Sequence, residues 1–80
     1  MTNLEEVHAV EITITTQKDG RMTIPAGVRR ILKVSDNDYV KITTKDGRES
    51  VHQLVSGGEL LTYGFLEGYT TVRITISKRD

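Results

Sequence analysis

Apolar and polar positions alternate early in the chain: Val10, Ile12 and Ile14 take turns with Glu11, Thr13 and Thr15. A period of two sends the apolar set to one face, which predicts a half-buried strand running to Gln17. Asp19-Gly20 follows, and such a pair supplies the positive φ angles of a tight hairpin turn. Beyond it Met22 and Ile24 alternate with Arg21 and Thr23, so a second short strand should pair with the first and turn Arg21 to solvent. Pro25 cannot donate to a ladder and suits the first position of a helix, so the strand should stop there.

The period then lengthens. At about 100° per residue Val28, Ile31 and Leu32 fall on one arc, and Ala26, Arg29, Arg30 and Lys33 lie opposite it. The pattern predicts a short helix with one packing face and one cationic face. Gly27 weakens it by roughly 1 kcal/mol relative to alanine, so the helix depends on tertiary packing. Val34 to Asp38 has the short polar side chains of a turn. Tyr39 to Thr44 alternates again, with Val40 and Ile42 inward and Lys41 and Thr43 outward. A second Asp-Gly turn, Lys45-Asp46-Gly47-Arg48, leads into a strand over 50–55, in which Val51 and Val55 face opposite to His52 and Leu54; the pattern leaves open which side is buried. Ser56-Gly57-Gly58 is a loop, 60–66 a short strand, and 70–77 a clear strand with Val72, Ile74 and Ile76 on one face.

The central stretch resembles a known family. Gly20-Arg21-Met22-Thr23-Ile24-Pro25, then Val28-Arg29, Leu32, Val34, Asp38, Val40 and Ile42 resembles the AbrB-like swapped-hairpin DNA-binding proteins, among them the transition-state regulators and the MazE and VapB antitoxins, over roughly 10–55. The resemblance implies a mainly β fold with one short helix, a swapped-hairpin β-barrel formed by an intertwined homodimer. It implies that Arg21, Arg29 and Arg30 contact DNA. Two positions depart from the family pattern: Lys33 and Asn37 stand where glycines are usual. Asparagine tolerates the left-handed conformation better than most residues do, whereas lysine at a helix end does not favour it. On this division 1–8 is a mobile acidic tail, 9–55 the DNA-binding domain, and 56–80 a β extension packed on that domain or at an oligomer interface.

Composition adjusts these expectations. At 80 residues with no cysteine, two histidines and no metal-ligand spacing, the chain has neither a disulfide nor an ordinary zinc site to reinforce a small core. Oligomerisation, as a homodimer or a tetramer, is the expected source of further buried area. No apolar run reaches the roughly 18 residues of a membrane helix and the first residues lack the regions of a signal peptide, so a cytoplasmic location is expected. Formal net charge is zero, against strong nonspecific nucleic-acid binding. The distribution changes that: residues 18–33 hold Lys18, Arg21, Arg29, Arg30 and Lys33 against Asp19 alone. Local field outweighs the sum.

The expected function is therefore sequence-dependent binding of double-stranded DNA by a transcriptional regulator, with Arg21, Arg29, Arg30, Lys33 and Lys18 contacting phosphates and major-groove base edges. The alternative is an antitoxin whose C-terminal part binds a toxin protein. A third possibility takes Tyr39, Tyr63, Phe65 and Tyr69 as a platform for single strands, although core or interface anchoring explains these rings more simply. No catalytic, cofactor or metal motif is present, so neither an enzyme nor a cofactor is expected.

Overall fold

The computed structural model describes residues 8–62, 64–66 and 70–79. The expected acidic tail at 1–8, save His8, and the rings of Tyr63 and Tyr69 lie outside these residues. Among these residues the alternating segments are strands: β1 (Ala9–Thr15), β2 (Arg21–Thr23), β3 (Tyr39–Thr44), β4 (Glu49–Gln53), β5 (Glu59–Leu61) and β6 (Thr71–Arg79), with one helix, α1 (Ala26–Leu32), and a 3-10 turn at Ser56–Gly58. The protein is mainly β. All strand pairs are antiparallel, in a four-stranded sheet of order β1-β6-β3-β4 and a two-stranded sheet of β2 and β5. No helix among the described residues is long and apolar enough to cross a membrane.

The first Asp-Gly turn forms, but not the hairpin expected around it. Gly20 N–H donates to Gln17 O at 2.9 Å and Gln17 N–H to Arg21 O at 2.7 Å, with Gly20 at φ 86°. Past that rung the strands part, β1 to β6 and β2 to β5. The register explains the preference: Val10 faces Ile76, Ile12 faces Ile74 and Ile14 faces Val72, so each inward rung joins two β-branched side chains. A three-residue strand ending at a proline offers β1 much less. The second Asp-Gly turn does close a hairpin, with Thr44 N–H on Arg48 O at 2.8 Å.

α1 begins one residue later than expected. Pro25 is extended (φ −57°, ψ 146°) and its carbonyl accepts the first helical bond, from Arg29 N–H at 3.0 Å. The helix ends at Lys33, left-handed at φ 58°, with Lys33 N–H on Arg30 O and Val34 N–H on Arg29 O. These bonds make a Schellman ending with lysine in the place that glycine favours. Asn37, the other departure from the family pattern, is also left-handed, at φ 76°.

Inward side chains of the large sheet (Val40, Ile42, Ile74, Ile76) meet Met22 and Leu60 of the small sheet, Leu32 of α1, and Ile24, Leu54 and Leu66 in one buried core. Leu54, not Val51 or Val55, is the buried residue of the 50–55 segment.

The topology is symmetric. Exchanging β1, β2 and β3 for β4, β5 and β6 leaves both sheet orders unchanged. The bonding repeats in detail. Gln17, Gly20, Arg21 and Ile24 make the bonds Gln17 N–H to Arg21 O, Gly20 N–H to Gln17 O, and Ile24 N–H to Gly58 O. At a constant spacing, Val55, Gly58, Glu59 and Thr62 make Val55 N–H to Glu59 O, Gly58 N–H to Val55 O, and Thr62 N–H to Gly20 O. β3 and β6 carry related sequences, Val40-Lys41-Ile42-Thr43 and Val72-Arg73-Ile74-Thr75. The halves differ in the connection before their last strand, where among the described residues only the first holds a helix.

Candidate nucleic-acid interface

The five basic residues expected to form one cationic surface have different surroundings. Lys18 is exposed in the first turn. Arg21, at the start of β2, does not reach freely into solvent: its Nε lies 2.8 Å from Asp19 Oδ2 and its Nη1 3.6 Å from Glu59 Oε2. Desolvation pushes the Asp19 carboxyl up, and bonding from the Arg21 amide and guanidinium outweighs it, so Asp19 stays below the ordinary carboxylate value. Two carboxylates thus balance Arg21, leaving it little charge to offer an anion.

Arg29 turns inward, contrary to its expected place on the cationic face. Its Nε donates to Ile24 O at 3.0 Å, and the guanidinium covers Gly58 so closely that a Cβ there would lie 2.5 Å from Nε. An arginine four residues after the strand-ending Pro25 can fold back over that strand end, because its long stem packs while its head finds a carbonyl. Ile31, expected on the packing arc, is 49% exposed. The helix is rotated from its periodicity, burying Leu32 and half-burying Arg29 where Ile31 was expected.

Arg30 and Lys33 remain exposed, one helical turn apart. Lys78, near the end of β6, places its Nζ 3.2 Å from Lys33 O. Among the described residues none of these three has a carboxylate within ion-pair distance. Part of their role is local, since cations at a helix C-terminus compensate its free carbonyls. Lys78 was missed by sequence reasoning; its strand was placed outside the DNA-binding segment, and only the position of β6 beside β3 brings it to α1.

The two described aromatic residues, Tyr39 and Phe65, lie on different sides of the large sheet. Tyr39 lies on the outer face of the large sheet, 49% exposed. Phe65 packs on the core side, 5.8 Å from the His52 ring, with the Arg48 guanidinium 5.4 Å from its centroid. Burial lowers the His52 pKa, and the Leu61 backbone opposes this in part.

No protein-family model and no curated protein matches this chain. The solution structure of PHS018 from Pyrococcus horikoshii is similar to it over 95% of this chain and 92% of that one, at 18% identity and a TM-score of 0.58. The likeness is one of fold.

Proposed function

We propose that this chain is a double-stranded DNA-binding transcriptional regulator that meets the phosphate backbone with the C-terminal end of α1. The observation that carries the reading is the cluster of Arg30, Lys33 and Lys78, three cations without a carboxylate partner among the described residues of a chain whose net charge is zero. Unpaired cations keep their charge for an external polyanion, whereas the charge of Arg21 is already balanced. Lys18 adds a fourth exposed charge from the turn, and a guanidinium such as that of Arg30 can also reach a guanine edge. The resemblance over roughly 10–55 to the swapped-hairpin DNA-binding proteins supports the same reading. In those proteins two interleaved chains supply the symmetry; here the internal repeat supplies a two-fold within one chain, and the proposal places one basic helix on each chain. The antitoxin alternative is disfavoured, because β6 is held between β1 and β3 and leaves no free arm there for a toxin.

A salt titration of binding to mixed-sequence duplex DNA tests this. Arg30→Ala and Lys33→Ala should each weaken binding and lower the log–log salt slope by about 0.9 for every phosphate the side chain had neutralised. Wild-type slopes retained in both variants, or no duplex binding at low salt, would remove α1 from the surface.

A further inference from the structure

Among the described residues the large sheet has two edges without a neighbouring strand, β1 and β4, related by the internal repeat. Thr44 N–H bonds Arg48 O and Leu54 N–H bonds Asp38 O, so in this register the even-numbered residues of β4 direct their backbone groups to β3. Glu49, Val51 and Gln53 direct theirs outward, where no described residue bonds them. On β1, Thr16 N–H bonds Thr70 O, which by the same alternation turns Glu11, Thr13 and Thr15 outward.

The two edges therefore share one backbone geometry and differ in side chains. Beside the β1 edge, the outer face carries Thr13 and, on β6, Thr71, whose hydroxyl bonds that of Thr15 at 2.8 Å. At the corresponding places beside β4 stand Val51, 42% exposed, and Tyr39, 49% exposed. Water satisfies threonine hydroxyls, whereas an exposed valine and an exposed tyrosine gain from leaving it, although Lys41 stands directly opposite Val51 and Gln53 opposite Tyr39. β4 also lacks the lysine, proline or bulge that protects many edge strands.

We infer that β4 is an interface with a second copy of this chain, the two β4 strands pairing antiparallel about Val51. In this register Val51 meets its counterpart, Glu49 meets Gln53 and Ser50 meets His52, so no like charges face each other. The outward backbone groups of Glu49, Val51 and Gln53 are those that pair, each rung exchanging two bonds, and the four-stranded sheet continues across the two-fold. The two Val51 side chains cover each other at the two-fold, with Lys41 on the other side of each, and the Tyr39 ring lies one strand further back, beside Gln53. A β1 junction would bring together two Thr13 side chains and gain no such apolar contact, and a β1-to-β4 junction would not close.

Light scattering of the full chain across a concentration series tests the inference, with circular dichroism to establish that each variant folds. Wild type should dimerise. Val51→Lys should weaken the dimer by at least about tenfold, Val51→Thr, which copies the other edge, should weaken it measurably, and Thr13→Lys should leave it unchanged. A monomeric wild type overturns the inference. So does a dimer that survives Val51→Lys, as an interleaved dimer would, or one that is lost in Thr13→Lys alone.

Discussion

Replacing Gly58 with alanine tests the packing that removes Arg29 from the proposed DNA surface. Gly57 and Gly58 are adjacent and both left-handed, at φ 75° and 80°. A Cβ on Gly57 meets nothing within 4 Å. Gly57→Ala should therefore cost only the conformational penalty, about 1 kcal/mol. A Cβ on Gly58 would lie 2.5 Å from Arg29 Nε, 2.7 Å from Cζ and 2.9 Å from Cδ, so the guanidinium must leave and its bond to Ile24 O breaks. A hydrogen bond from a charged group contributes about 1.5–3 kcal/mol, and partial exposure of Arg29 puts the extra cost at the lower end, about 1.5 kcal/mol. Urea unfolding of both variants, alone and combined with Arg29→Ala, isolates that term. In the Arg29→Ala background Gly58→Ala should cost no more than Gly57→Ala does. An excess that persists without Arg29, or no excess in its presence, refutes the assignment of Arg29 to the fold.

Further perturbations bear on the same geometry. Lys33→Gly should stabilise the protein by about 0.5 kcal/mol in urea unfolding, because it relieves the left-handed lysine and keeps the carbonyl that Lys78 bonds. Ile76→Ala, at a fully buried position facing both Val10 and Ile42, should cost about 2–5 kcal/mol, and truncation before β6 should abolish the folded circular dichroism signal. The His52 pKa is lowered on folding from the ordinary 6.5. Its neutral form is the one the fold prefers, so this stability is present above that value and declines as pH falls below it toward the lower folded value; His52→Gln should flatten the dependence of the urea midpoint over that window. Arg21→Ala should weaken duplex binding less than Arg30→Ala in the same salt titration, since Asp19 and Glu59 already balance Arg21.

Most elements of the fold left a local mark in the sequence, and apart from the β3–β4 hairpin their pairing did not. Alternation placed β1, β3 and β6, and the Asp46-Gly47 turn placed the β3–β4 hairpin. Asp19-Gly20 has the same turn chemistry but joins strands that separate, because a turn decides only its own rung while burial decides the ladder. β6 read as an extension for a related reason: position along the chain says nothing about position in a sheet, and this last strand lies between β1 and β3. One signal for it does lie in the sequence. Val40-Lys41-Ile42-Thr43 and Val72-Arg73-Ile74-Thr75 mark the two equivalent strands, and Gly20 and Gly58 mark the two equivalent turns.

The repeat also explains why the basic residues are one-sided. At the place of Arg21 the second half carries Glu59, and at the place of α1 it has the shorter connection containing Phe65 and Leu66. Arg21 and Glu59 then meet across the β2–β5 pair, so the symmetry of the backbone brings a position that changed sign into contact with its own equivalent. Helical periodicity gave Arg29, Arg30 and Lys33 one face, and it cannot distinguish a guanidinium held by a backbone carbonyl from one left to solvent. That distinction rests on Gly58, distant in sequence and brought over the helix by the second half. The cationic surface that survives it is built on Arg30 and Lys33 of the helix, which the described residues of the other half do not repeat, joined by Lys78 of β6, and these carry the functional proposal where Arg21 does not.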